Sequence, residues 1–201
     1  MSVLQNTGSM LGHATPYFGY GSNLWLHQME VRCPDSKYMG VARLNGYRWM
    51  INQRGYANVV QISEVAEAKV PTTNVSYGLV FSLQETDEQR LDGNEGVPIA
   101  YTKEYLSTEF WPAPKDGKPV NLTSTPESKE LLVYINRDMT QDDEPKREYI
   151  YRMNMGIKDA VKAGVPQDYV NKVLRKFIPE KDDGDVQDVA KKQALEFQEE
   201  I

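Results

Sequence analysis

Two short stretches carry residue types that could do chemistry. Tyr17–Trp25 reads YFGYGSNLW, and Asp92–Val97 reads DGNEGV. In the first, Gly19 and Gly21 relieve backbone crowding, and Gly21 lets the chain turn sharply out of an aromatic strand. The N–H groups of Ser22, Asn23 and Leu24 would then face outward at a helix N-terminus, a geometry that holds a carboxylate or a phosphate. The same residues also make an ordinary capped turn. They match neither GxGxxG nor a Walker loop, so nucleotide binding has no support. In the second stretch, Glu95 stands between a helix stop at Gly93 and a strand start, with Gly96 beside it. A carboxylate on a tight turn can be aimed with little mobility. It can equally be one solvated acid among 29.

Other reactive side chains are few. Cys33 is the single cysteine, so no internal disulfide forms. It sits in RCPD with no histidine nearby and reads as a small packing residue rather than a nucleophile. Two histidines, His13 and His27, with one cysteine do not make a usual zinc set. The expectation is no metal and no cofactor. The net charge of -6, with no dense Lys/Arg run, argues against a nucleic-acid partner. No apolar stretch approaches the roughly 20 residues of a membrane helix. The first residues lack a basic n-region and an apolar h-region, so a cytoplasmic protein is expected.

These residues need elements to position them. The composition, 40% hydrophobic and 26% charged, is globular. Residues 1–15 read as a loose arm, 16–178 as one domain, and 179–201 as an acidic tail with a helix over Val186–Ile201. Tyr17–Tyr20 predicts a first strand. Ser22 or Asn23 could cap a helix running to about Arg32. Lys37–Gln53 reads as strand with a hairpin at Asn45-Gly46. Ala57–Ile62 and the alternating Asn74–Leu83 predict two more strands. Glu85–Leu91 is acidic at its start, as a helix N-terminus prefers. Val97–Trp111 and Lys129–Asn136 read as strands, and Glu64–Thr73 as a polar turn. Tyr149–Ala163 has helical spacing of Ile150, Met153, Ile157 and Val161. Gly164-Val165-Pro166 breaks it, and Gln167–Phe177 predicts a second helix. Strands first and two helices last predict an α+β fold, with a small mixed or antiparallel sheet that curls like a barrel and short flanking helices.

Taken in order, these pieces resemble the γ-glutamylcyclotransferases over about residues 16–178. Tyr17–Leu24 is similar to the family's glutamyl-binding loop. Gly40–Leu44 (GVARL) and Tyr77–Val80 (YGLV) look like its strands, and Asn94–Val97 (NEGV) like the segment holding its catalytic glutamate. Met155-Gly156 and Gly164–Tyr169 fit its closing helix pair.

The resemblance implies conversion of a γ-glutamyl compound to 5-oxoproline and a free amine, without cofactor. Glu95 is then the catalytic base, and burial would raise its pKa toward a useful range. Tyr20, Gly21, Ser22, Asn23 and Leu24 would bind substrate, the loop acting through backbone N–H groups more than through side chains. Tyr105 and Tyr149 are further substrate-binding candidates, and Glu104 and Asp92 are the next acids in line. Asn23 favours the branch acting on γ-glutamyl amino acids, whereas Trp25 is reminiscent of the glutathione-specific branch. Trimming of a γ-glutamyl group in a natural-product pathway is a second substrate class. A non-catalytic γ-glutamyl-binding module is the alternative from outside enzymology. The expected partner is a small molecule, with no nucleic acid and no membrane; a homodimer stays open.

Overall fold

The computed structural model describes residues 14–62 and 74–180. The turn expected at 64–73, most of the arm and the tail helix lie outside the described residues. Seven strands and four α-helices are described: β1 Thr15–Gly19, α1 Leu26–Arg32, β2 Lys37–Asn45, β3 Tyr47–Ile51, β4 Ala57–Gln61, β5 Val75–Leu83, α2 Glu85–Asn94, β6 Thr102–Pro112, β7 Glu127–Ile135, α3 Arg147–Ala163 and α4 Gln167–Lys172. The expected α+β class and curled mixed sheet are both present. Five strands close a barrel in the order β1-β5-β2-β6-β7. Closure comes from a parallel contact of β1 with β7 at Tyr17 and Leu132. The other barrel pairings are antiparallel. Closing the sheet leaves no free strand edge among the five. Phe18, Val41, Leu79, Leu83, Leu131 and Val133 are all fully buried and form part of one continuous core.

Several elements differ from the sequence expectation, and each difference has a local cause. Asn45-Gly46 is not a hairpin within one sheet. Both edges of β2 are taken, by β5 and by β6, so β3 leaves the barrel and pairs with β4 instead. The turn is pinned where Gly46 N–H donates to the Asn74 carbonyl. Neither Ser22 nor Asn23 caps α1. Residues Ser22–Leu24 form their own 3-10 turn, and Trp25 is extended before α1 begins. Asp159 on α3 accepts from Leu26 N–H at 3.0 Å and serves as the cap from across the fold. Gly93 does not stop α2, which runs to Asn94. Residues 95–100 are turn, so the strand expected from Val97 begins only at Thr102. The second C-terminal helix breaks after Lys172 into a 3-10 turn over Leu174–Lys176. β1 starts at Thr15, paired with Leu83.

Helix α3 holds the 3-10 turn against the barrel. Its buried face carries Tyr149, Arg152, Met153, Gly156 and Ala160, an i, i+3, i+4 stripe. At Gly156 the helix meets the turn so closely that a Cβ would lie 2.8 Å from Leu24 Cβ and 3.0 Å from Trp25 N. Among the described residues no helix is long and apolar enough to cross a membrane. Gly156→Val is expected to destabilise the fold by about 1–3 kcal/mol, because the turn and helix must separate to admit the side chain. A denaturant melt measures this; an unchanged midpoint would show that the packing is looser than described.

Candidate active site

The two chemistry-bearing stretches meet in one recess at the end of β1. Tyr17, Tyr20, Gly21, Ser22, Asn23, Ala57, Glu95, Tyr101, Tyr134 and Tyr149 line it. β1 delivers Tyr17 and the glycine turn. The turn after α2 delivers Glu95, which is 9% exposed. β4 delivers Ala57, β7 delivers Tyr134 and α3 delivers Tyr149. The small β3–β4 sheet braces the opposite side, where Trp49 Nε1 donates to the Tyr20 carbonyl at 2.9 Å.

Asn23 links most of these groups. Its Oδ1 accepts from Gln28 Nε2 at 2.8 Å and from Arg32 Nη1 at 2.9 Å. Its Nδ2 donates to Tyr17 Oη at 2.8 Å and to Glu95 Oε1 at 3.2 Å. Ser22 is held in a matching way: its Oγ accepts from Gln28 Nε2 at 3.0 Å and from Arg152 Nη1 at 3.2 Å. Arg32 and Arg152 are 5% and 2% exposed, and Gln28 is fully buried. Buried guanidinium groups are costly unless bonded, so the turn and its supports stabilise one another. The two arginines also put positive charge beneath a cavity whose wall holds a carboxylate.

Close contact, not a left-handed backbone, requires glycine at position 21. Its φ is -106°, and a Cβ there would lie 2.7 Å from Tyr149 Oη and 3.1 Å from the Ala57 side chain. The Tyr149 hydroxyl occupies this space because it accepts from Ser22 N–H at 3.1 Å and from Ala57 N–H at 3.3 Å. Its ring lies under the Arg152 guanidinium, 5.0 Å from centroid to carbon.

Of the residues expected at the site, Glu95, Tyr20, Gly21, Ser22, Asn23 and Tyr149 line the recess. Leu24 does not: it is buried in the core, and its N–H donates to the Gly21 carbonyl at 2.9 Å. Tyr105 does not either. It projects from β6 with 56% exposure and is not among the residues that line the recess. The expected outward N–H cradle is also altered, since the N–H groups of Ser22 and Leu24 already have acceptors. Ser22 and Asn23 are held through their side chains as well as their backbone. Glu104 pairs with Arg137 on the surface, which holds its carboxyl below the usual range. Asp92 sits behind the recess and accepts from Tyr134 Oη at 2.7 Å. Cys33 is fully buried. Its thiol is pushed up to about 12 by burial first and by Asp87 second, so it is no nucleophile at neutral pH.

Tyr17, Gln28, Arg32, Tyr101, Tyr134 and Arg152 were not singled out by sequence. Two spacings do hint at them. Gln28 and Arg32 are four apart on α1, and Tyr149, Arg152 and Gly156 share one face of α3.

No family model matches the chain. Its sequence is 26% identical over 166 residues to human gamma-glutamylcyclotransferase, covering 78% of this chain and 82% of that one. It is 25% identical to the bovine protein of the same name, covering 81% and 78%. A solved gamma-glutamyl cyclotransferase superposes with a TM-score of 0.64 at 20% identity, covering 89% of this chain and 99% of that one. The fold is that of the γ-glutamylcyclotransferases, and the sequence likenesses support assignment of this chain to that family.

The contact between Gly21 and Tyr149 gives a direct check on the recess. Gly21→Ala is expected to cost about 1–3 kcal/mol in the wild-type background, and clearly less in a Tyr149→Phe background, where the clashing oxygen is gone. Denaturant melts of the four proteins measure the coupling. Equal costs in both backgrounds would contradict the described contact.

Proposed function

We propose that this chain is a γ-glutamylcyclotransferase, with Glu95 as its base and the Tyr20–Asn23 turn as its glutamyl-binding wall. One observation carries the reading. A carboxylate 72 residues further along the chain meets the tip of the glycine turn, Asn23 Nδ2 to Glu95 Oε1, across a tyrosine-lined recess. The human and bovine likenesses support the same activity class.

The chemistry suits such a site. A substrate α-ammonium, with a pKa of about 8, becomes a nucleophile only after losing a proton. Glu95 accepts it. The α-nitrogen then attacks the γ-carbonyl carbon of the same molecule and closes a five-membered ring. The bond from that carbon to the amine-side nitrogen breaks. Glu95 returns that proton to the departing nitrogen as the bond breaks, then takes the second proton shed by the ring nitrogen, which leaves with the amine as its ammonium. Atoms and charge balance without water, metal or redox partner. Both reacting atoms belong to one substrate, so much of the barrier is lowered by holding a near-attack geometry. The positive charge of Arg32 and Arg152 under the turn suits the α-carboxylate of a glutamyl group. The proposed substrate is a cytoplasmic small molecule with a γ-glutamyl amide. An amino acid, a peptide or a biosynthetic intermediate could stand on its amine side.

The test is release of 5-oxoproline from a panel of γ-glutamyl amino acids, glutathione and other γ-glutamyl amides, followed by mass spectrometry. The wild type is expected to turn over at least one, with no change on adding chelator. Glu95→Gln keeps the side-chain shape and an acceptor for Asn23 but cannot take the ammonium proton. It is expected to lower kcat by about 10²–10⁴-fold with an unchanged melting temperature. A folded Glu95→Gln protein with wild-type turnover would remove Glu95 from the base role.

A further inference from the structure

The hydroxyl groups facing the recess are not equivalent. Five tyrosines line it. Tyr20 Oη donates to the Tyr134 carbonyl. Tyr101 Oη donates to the Ala57 carbonyl at 2.9 Å. Tyr134 Oη donates to Asp92 Oδ1 at 2.7 Å. Those three protons are spent on the protein. Tyr149 Oη sits at the wall, taking the N–H groups of Ser22 and Ala57. Tyr17 differs from the first three. Its Oη accepts from Asn23 Nδ2 at 2.8 Å, and among the described residues it has no acceptor for its own proton.

The direction of that bond is fixed. Asn23 Oδ1 faces Gln28 Nε2 and Arg32 Nη1, which can only donate. Flipping the amide would put its NH₂ against two donors and its oxygen against the Glu95 carboxylate. The Asn23 NH₂ therefore stays toward Tyr17 and Glu95, and the Tyr17 proton cannot turn back on Asn23. Burial and the negative charge of Glu95 hold the Tyr17 phenol well above its ordinary pKa, so it keeps this proton at any working pH. A bond received at the oxygen polarises the O–H and makes it a better donor. The ring is fixed by an edge contact to Tyr134 at 5.6 Å and a stacked contact to Phe81 at 6.5 Å.

We propose that Tyr17 is a second catalytic residue, whose O–H donates a hydrogen bond to the γ-carbonyl oxygen of the bound glutamyl group. This rests on the cyclotransferase reading. As the α-nitrogen attacks, the carbonyl π electrons move onto that oxygen, and the bond from Tyr17 strengthens with the growing charge. Tyr17 keeps its proton throughout; both protons lost by the α-nitrogen pass through Glu95 to the departing amine. Arg32 acts as a positioning residue, because it fixes Asn23, which fixes Tyr17.

The product carries the same oxygen, as the ring carbonyl of 5-oxoproline, so binding reports the bond separately from turnover. Tyr17→Phe keeps the ring contacts and removes only the hydroxyl. It is expected to lower kcat by about 10²-fold, the typical loss of one such donor, with KM changed much less. L-5-oxoproline affinity by calorimetry is expected to fall roughly fivefold to tenfold, while loss of the Asn23 bond lowers the melting temperature without unfolding the protein. The pH profile should keep its wild-type shape, because Tyr17 exchanges no proton. Wild-type kcat and wild-type 5-oxoproline affinity in a folded Tyr17→Phe protein would overturn the proposal. Should Tyr17→Phe unfold, 3-fluorotyrosine placed at position 17 keeps the hydroxyl, and its ¹⁹F resonance should move on saturation with 5-oxoproline; an unmoved resonance overturns the proposal. A wild type that binds 5-oxoproline but turns over no substrate, with Tyr17→Phe binding more weakly, would remove the cyclotransferase reading and keep the hydrogen bond. A wild type that neither binds 5-oxoproline nor turns over any substrate overturns both.

Discussion

The side-chain amide of Asn23 makes four hydrogen bonds, and the arrangement of the site follows from which way it points. Gln28 and Arg32 hold its oxygen; Tyr17 and Glu95 receive its hydrogens. These partners come from β1, from α1 and from the turn after α2, so one planar group ties three elements at one point. Hydrogen bonds to charged groups are each worth about 1.5–3 kcal/mol, and here two of the four partners, Arg32 and Glu95, carry charged side chains. Removing any member leaves another buried polar group unpaired, which costs more than the bond itself contributes. The 3-10 turn at Ser22–Leu24 is thus held by its side chains as much as by its backbone.

Helix α3 completes the constraint from the other side. Asp159 caps α1, Gly156 lets the helix touch the turn, Arg152 reaches Ser22 Oγ, and Tyr149 occupies the space that a side chain at position 21 would need. All four lie on one face of a single rigid element. The barrel sets the position of Tyr17 and Tyr134 by strand register, and α3 sets how far the turn can move from them. In the proposed reaction both reacting atoms belong to one substrate, and a wall that does not move is what such a ring closure asks of a protein.

Much of this was legible in residue patterns, and the failures have physical reasons. The alternation in β5 and the 3.6 period in α3 are local properties, and both elements appear where the pattern puts them. The glycine turn and Glu95 were marked by their glycine neighbours, and both line the recess. The partnering of β3 was not legible, because it depends on β2 having lost both edges to strands far along the chain. Tyr105 was misplaced because alternation along β6 says that faces differ, not which face meets a site. Arg32 and Arg152 were passed over because arginines in helices usually face water; Ser22, the acceptor that keeps Arg152 inside, is 130 residues away. Leu24 belongs to the turn by sequence but to the core by packing.

In the proposed reaction the recess drives attack by the substrate's own α-amine, not by water. Isotope incorporation decides between these directly. A turned-over γ-glutamyl substrate incubated with the enzyme in ¹⁸O-labelled water is expected to give 5-oxoproline with no ¹⁸O above background, since ring closure uses only atoms already in the substrate. Formation of glutamate carrying one ¹⁸O in its γ-carboxylate would show hydrolysis instead and contradict the account.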